Sequence, residues 1–254
     1  MTWNPELYLA FEGPRFRPVI DLVQQISLEA PTRVVDMGCG TGSGTQLMKS
    51  RWPDAHFTGI DGSADMLAKA RDADPAIDWV EADLNLWMPD TPPDLIFSNA
   101  ALHWLDDHHK LFPRLLDMLA PGGVLAVQMP RNYHAPGLSL VNETALDGPW
   151  RPRLEAMVRQ VPVQEPRFYY ELIAPRVKTL NMWETDFIQV LDGDNPVADW
   201  TRGSWMSPLL NALDGDEREA FDAEYRRRVA AAYPKEKDGK TLFPFRRIFF
   251  IATV

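Results

Sequence analysis

The sequence predicts an α/β chain: a mostly parallel, seven-stranded sheet with helices on both faces and a helical cap added late. Three observations carry this expectation. Between residues 32 and 130, short apolar runs alternate with longer amphipathic ones, and alternating strands and helices connect by right-handed crossovers into a parallel sheet. A glycine-rich turn, G-C-G-T-G-S-G at residues 38–44, separates the first such run from the helix after it. Two more strand patterns, at residues 179–191 and 247–253, follow only after a proline-rich stretch that reads as short helices.

Each element has its own signal. Residues 14–26 place Phe16, Val19, Ile20, Val23 and Ile26 on one helical face. Strands are predicted at residues 33–37, 56–60, 77–80, 95–98 and 124–129. Helices fall between them at residues 45–51, at 63–71 with Ser63 as N-cap, and at 109–119, where Pro121-Gly122-Gly123 ends the pattern. Residues 195–233 read as helical, with Phe221, Tyr225, Val229 and Tyr233 every fourth residue, a stripe that suits a core better than a ligand contact. In such a sheet the ligand crevice lies outside the carboxyl ends of the strands.

Charge narrows the function. The 254 residues carry 26 basic and 36 acidic side chains, a net charge of −10 that opposes binding to nucleic acid or to an anionic membrane surface. The imbalance is uneven: residues 1–130 hold 9 basic and 18 acidic side chains, residues 131–254 hold 17 and 18. Thirteen of the 19 arginines follow Pro130. An acidic first half suits a cationic ligand, and an arginine-rich second half suits an oxyanion. No apolar run reaches the roughly 18 residues of a membrane span, and Cys39, the one cysteine, can form no internal disulfide and, alone, no zinc cluster. The chain reads as cytoplasmic.

The strongest motif is V-V-D-M-G-C-G-T-G, residues 34–42. Its G-x-G-x-G spacing differs from the G-x-G-x-x-G of a nicotinamide-binding loop, and no phosphate-cradling G-x-x-x-x-G-K-[ST] is present. Asp61 ends the second strand, where a carboxylate can accept both hydroxyls of a ribose. Asp83, in E-A-D-L after the third strand, is placed to accept from an adenine amino group. S-N-A-A-L-H-W-L follows the fourth strand, and L-A-P-G-G precedes the fifth.

Together these elements resemble the class I S-adenosylmethionine-dependent methyltransferases, whose fold is Rossmann-like. The resemblance implies S-adenosyl-L-methionine as methyl donor and no metal. By position it implies Asp36, Gly38, Gly40 and Gly42 around the methionine moiety, Asp61 at the ribose, Asp83 with Leu84 at the adenine, and Asn99 near the sulfonium. Residues 1–30 would be an N-terminal helical lid and 31–130 the cofactor core. Residues 131–254 would add cap insertions and the last two strands of the same sheet, within one compact domain.

Beyond the core, W-N-P-E-L-Y-L, R-P-V-I-D-L, N-A-A-L-H-W-L, V-L-A-V-Q-M-P-R-N and F-P-F-R-R-I-F-F-I-A-T resemble members that esterify a small tricarboxylate, acting without an obligate protein partner. A carboxylate is ionised at neutral pH, so the nucleophile needs no general base, and His103, His108, His109 and His134 are not assigned that role. A guanidinium on the attacking carboxylate would stabilise the ground state over the transition state. Arginines are therefore expected on the unreactive carboxylates: Arg17, Arg131, Arg202 and Arg246, with Arg247 turned to the opposite strand face. His103, Trp104, Tyr133, Tyr8 and Trp205 are the candidate walls, and Arg226, Arg227 and Arg228 read as a solvated helix face. Two other readings remain open, a methyltransferase for another small acid or a quinone precursor, and a noncatalytic cofactor-binding subunit.

Overall fold

Apolar runs bounded by turn residues become strands β1 (Arg33–Met37), β2 (His56–Asp61), β3 (Asp78–Glu81), β4 (Leu95–Asn99), β5 (Val124–Pro130), β6 (Thr179–Leu191) and β7 (Thr241–Thr253). They lie in one sheet in the order β3-β2-β1-β4-β5-β7-β6. The computed structural model describes residue 13 and residues 16–158, 163–202 and 205–254. Tyr8 and, apart from Gly13, the lid segment up to residue 15 lie outside the described residues.

β1 pairs in parallel with β2 and β4, β2 with β3, and β4 with β5. Val254 exchanges backbone hydrogen bonds with Gly122 and Gly123 before β5, while the Arg131 N–H just after β5 donates to Arg246 O. β7 therefore runs antiparallel to β5. Strand order reverses direction between β1 and β4, which makes the carboxyl ends of those two strands the switch point of the sheet.

The helices are α1 (Arg17–Gln25), α2 (Ser43–Arg51), α3 (Ala64–Ala73), α4 (His108–Asp117), α5 (Pro136–Leu146), α6 (Arg151–Leu154), α7 (Pro166–Ile173), α8 (Pro196–Arg202), α9 (Ser207–Asn211) and α10 (Gly215–Ala232). Ser63 caps α3, its hydroxyl accepting from Met66 N. α2 begins two residues before the apolar spacing suggests, because Gly42, at φ 79°, is a left-handed N-cap that starts the helix straight from the glycine turn. β7 is six residues longer at its start than its apolar run. Pro244 and the two arginines hide a strand pattern that the structure keeps, with Thr241 and Phe243 buried and Leu242, Pro244 and Arg246 exposed.

The chain divides into two compact units. The first takes in the described residues up to Pro130, those of Pro162–Glu184, and Ile248–Val254. Its core includes Leu22, Met37, Ile60, Leu67, Phe97 and Leu115, all buried. Tyr169 of α7 stacks on Phe250 with ring centroids 5.4 Å apart. The second holds the described residues of Arg131–Val161 and Thr185–Arg247. Here Val141, Trp150, Met206, Phe221, Tyr225, Val229 and Phe243 form a core of their own. The every-fourth stripe of α10 is thus core, with Tyr233 packed against it.

Candidate functional site

The glycine turn leaves β1 at its carboxyl end, and its three glycines meet different surroundings. Gly38 packs so closely that a Cβ there would lie 2.1 Å from the Cβ of Ala101. At Gly42 a Cβ would lie 2.4 Å from the ring of Trp79. Gly40 is different: its φ of +56° favours glycine, yet among the described residues a Cβ would meet nothing within 4 Å. Packing explains the outer two, and open space above the backbone marks Gly40 as the point a ligand can approach.

Carboxylates surround this turn. Asp61, at the end of β2, accepts from Gly40 N and from Ser63 N, each at 2.9 Å, one on each oxygen. It therefore sets the shape of the loop and still holds lone pairs on both oxygens. Asp36 is buried in β1 and accepts from the Thr45 hydroxyl at 2.6 Å. Burial, reinforced by the charge of Asp61 and opposed by the Thr45 bond, pushes its carboxyl up to about 7. Burial and the same two carboxylates raise the Cys39 thiol far above its ordinary range. Cys39 is a packing residue rather than a nucleophile.

The remaining turns lie at the same end of the sheet. Asp83 makes an Asx turn, one oxygen accepting from Asn85 N at 2.8 Å and Nδ2 at 3.0 Å. Leu84 is half-buried, with Cδ1 3.7 Å from where a Gly38 Cβ would sit. Arg114 of α4 donates to Leu84 O at 2.6 Å and Trp87 O at 3.0 Å, pinning this segment. After β4, Ala100 takes φ 52°, a left-handed conformation that costs a non-glycine residue about 1–2 kcal/mol. That strained turn sets Ala101 against Gly38. Asn99 Oδ1 beside it is buried with no hydrogen-bond partner among the described residues.

The first unit also carries three of the acceptor-side residues predicted from the sequence. Arg17 is exposed at the start of α1. His103 is buried, its ring 4.7 Å from that of Trp104, which is exposed. His108 is buried: one ring nitrogen lies 2.7 Å from the Tyr169 hydroxyl and the other 3.0 Å from Leu102 O, and burial lowers its pKa. A groove of about 750 Å³, lined among others by Arg33, His56, Ile77 and Trp87, opens at the amino ends of β1–β3, away from these turns.

The second unit carries the others. Arg131 and Arg246 are joined through their backbones, Arg131 N donating to Arg246 O at 2.9 Å. The Arg246 guanidinium grips Asp186 with two bonds of 2.9 Å, and the charges of Arg246 and Arg131 both help hold Asp186 below its ordinary pKa. Arg247 is buried over the Phe245 ring, so the two neighbouring arginines do face opposite ways. Arg202 belongs to a separate ion-pair set, bound to Asp222 at 3.1 Å together with Arg226. Tyr133 is buried, its ring 5.2 Å from Trp205. Arg226, Arg227 and Arg228 are not merely solvated: they pair with Asp199, Asp222, Glu224 and Asp147.

Sequence reasoning missed Thr45, Arg114 and Asp186. Thr45 sits nine residues from Asp36 on the first turn of α2, a spacing that could have flagged it. Arg114 shares its helix with His108, His109, Lys110 and Asp117 and was a weaker sign. Asp186 lies 60 residues from Arg246, and only pairing of two strands connects them. Among the described residues no group of His, Cys, Asp and Glu could hold a metal ion, and no helix is long and apolar enough to cross a membrane.

Comparisons with known proteins identify the fold and the family. A family model described as a methyltransferase domain matches residues 11–174. A trans-aconitate 2-methyltransferase of Azoarcus sp. (strain BH72) is 45% identical over 251 residues, covering 99% of this chain and 98% of the relative. Among solved structures, the YcgJ protein of Bacillus subtilis superposes with a TM-score of 0.60 at 14% identity, over 92% of this chain and 97% of that one. A Haemonchus contortus phosphoethanolamine N-methyltransferase 2, solved with phosphomonomethylethanolamine and S-adenosylhomocysteine, gives 0.56 at 16% identity, over 94% of this chain and 52% of that one. The two structures establish the Rossmann-like fold, and the family match with the full-length identity establishes the rest: this chain belongs to the methyltransferase-domain family and, within it, to the trans-aconitate 2-methyltransferases.

Proposed function

We propose that this chain transfers the methyl group of S-adenosylmethionine to one carboxylate of trans-aconitate, giving the monomethyl ester and S-adenosylhomocysteine. The observation that carries the reading is the 45% identity along nearly the whole length of a relative named for that activity. Both the glycine turn and the arginine-bearing second half fall inside the matched span.

The donor suits the first unit. Open space over Gly40, spare lone pairs on Asp61 and the unpartnered Asn99 Oδ1 support a ligand with an amino acid, a ribose and a positive centre. In this reading Asp36, Gly38, Gly40 and Gly42 surround the methionine moiety, Asp61 takes the ribose, Asp83 with Leu84 takes the adenine, and Asn99 lies near the sulfonium. When bound, the donor supplies an electrophilic methyl on a sulfur that is already a good leaving group, so no metal is called for. The protein's own task is alignment, for which well-placed reactants gain about 7–11 kcal/mol.

On the acceptor side the nucleophile is ionised without help, consistent with a buried, neutral His108 that only spans Leu102 and Tyr169. Arg131 and Arg246 are the favoured clamps for the unreactive carboxylates, because their joined backbones bring two positive charges to one region around Asp186. Arg17 and Arg202 are further candidates, and His103, Trp104 and Tyr133 supply walls. The enzyme acts in this reading on a free tricarboxylate in the cytoplasm, without nucleic acid, membrane or an obligate partner protein.

The test is turnover with labelled S-adenosylmethionine on trans-aconitate, cis-aconitate, citrate and a quinone precursor. Base-labile labelled ester from trans-aconitate is expected, with Arg131→Ala losing turnover while S-adenosylhomocysteine binding persists. Cofactor binding with no turnover on any acid overturns the acceptor assignment and leaves only the donor.

A further inference from the structure

Asn132 is 4% exposed, and among the described residues neither its amide nitrogen nor its amide oxygen has a hydrogen-bond partner. Its backbone is engaged, its carbonyl accepting from Ala135 N at 3.0 Å in the turn that leads into α5. The side chain is thus fixed at its root and idle at its tip. A buried unpaired N–H is among the rarest features of folded chains and among the most destabilising, more so than an under-used carbonyl. Leucine would fill a similar volume without that burden. The amide is therefore best explained by a partner that arrives from outside.

Its neighbours indicate which partner. Asn132 stands between Arg131 and Tyr133, two residues already assigned to the acceptor, directly after the end of β5. Its Nδ2 can donate to an anionic oxygen while carrying no charge itself. That distinction suits the reacting group: a guanidinium would hold the attacking carboxylate in its ground state, whereas one neutral N–H fixes its direction and leaves the other oxygen free. We propose that Asn132 is an acceptor-binding residue whose amide donates to the carboxylate that receives the methyl group. This rests on the proposed function above. Once that oxygen pair becomes an ester it accepts more weakly, so the same contact favours product release.

Two variants test it, Asn132→Leu and Asn132→Asp, each read by acceptor KM against kcat, by S-adenosylhomocysteine binding, by calorimetric binding of trans-aconitate and by melting temperature. Asn132→Leu is expected to raise acceptor KM about 10- to 100-fold, to leave S-adenosylhomocysteine affinity unchanged, and to keep or raise the melting temperature. Asn132→Asp is expected to raise KM further at pH 8 and to recover as the pH falls and the new carboxyl takes a proton. Lower melting temperatures with unchanged acceptor KM would mean that the amide serves an internal water, and would overturn the inference. Should the wild type turn over and both variants keep its KM, this inference alone fails. If the wild type neither methylates nor binds a di- or tricarboxylate, the proposed function fails with it.

Discussion

Several carboxylates of the two units are stabilised by different means, although Asp74, Asp107 and Glu171 of the first pair with Lys49, Lys110 and Arg167. In the first, Asp61 is held by the N–H groups of Gly40 and Ser63, Asp94 by those of Thr32 and Arg33 plus the Thr32 hydroxyl, Asp83 by Asn85 and Asp36 by Thr45. In the second, Asp186, Asp222, Glu224, Asp199 and Asp147 are each held by an arginine. Backbone amides orient a carboxylate without cancelling its charge, and guanidiniums do both. The first unit therefore keeps a negative field around its glycine turn, ready for a cation. The second keeps a set of guanidiniums whose half-exposed ion pairs are each worth only about 0–1 kcal/mol, weak enough for an incoming anion to compete.

The sharpest way to break the first half of this comparison is Gly40→Ala. The added methyl meets no neighbour among the described residues, so the fold should lose only the backbone strain of a left-handed alanine, about 1–2 kcal/mol. Cofactor affinity should fall by at least about 100-fold, since the methyl occupies the approach to the backbone. Calorimetry with S-adenosylhomocysteine alongside thermal melting separates the two effects. Wild-type affinity in a folded Gly40→Ala protein would remove the loop from the cofactor site.

Asp36 sharpens the same half through pH. Its carboxyl ionises near 7 in the fold against 3.8 ordinarily, so the folded chain keeps a proton that the unfolded chain has lost. Stability should fall as pH rises through that window and level off above it, by an order of a few kcal/mol in all. Asp36→Asn should abolish the slope and raise the melting temperature at neutral pH. A cationic ligand beside Asp36 should pull its pKa down, so cofactor binding near about pH 6 should release a proton. Calorimetry in buffers of different ionisation enthalpy reads that release directly, and equal heats in all buffers would count against a charged Asp36 in the complex.

How much of this was legible in the sequence follows the same division. The first unit is built from local signals: apolar runs, the Ser63 cap, and a glycine turn whose neighbours sit at fixed distances along the chain. Hence β1 to β5 lie within a residue or so of their expected bounds, and Asp36, Gly40 and Asp61 do converge. The second unit is built from contacts distant in sequence. Nothing near Asp186 announces Arg246, Pro244 disguises six residues of β7, and Asn132 looks like any turn asparagine until its burial is known. An arginine count could suggest an oxyanion site but could not say which arginines already had partners.

His108 tests whether the buried histidine that spans Leu102 and Tyr169 works as a base. Burial keeps it neutral below its ordinary value of 6.5, while the unfolded chain gains a proton as pH falls. The stability it contributes is present above that value and should be lost as the pH drops below it. His108→Ala should cost about 2–3 kcal/mol through the lost Leu102 and Tyr169 bonds. Its kcat should keep the wild-type pH profile wherever the variant stays folded. Loss of a limb from that profile would restore general-base chemistry to the reaction.

The smallest expected effect probes the second unit. In this structure both oxygens of Asp186 fill the fork of Arg246, with side chains 43% and 48% exposed. If Arg246 clamps an acceptor carboxylate, Asp186 is its internal competitor, a carboxylate already where the substrate's should go. Asp186→Asn removes the competing charge and leaves a side chain of the same shape. Acceptor KM should then fall about 2- to 5-fold, consistent with a surface pair of about 0–1 kcal/mol, and should rise more steeply with added salt because an uncompensated guanidinium is screened. Arg246→Ala should raise KM whichever residue occupies position 186. A higher KM in Asp186→Asn would give Asp186 the opposite role: it would be aiming Arg246 at the substrate, and the guanidiniums of the second unit would be fixed donors, like the backbone amides of the first.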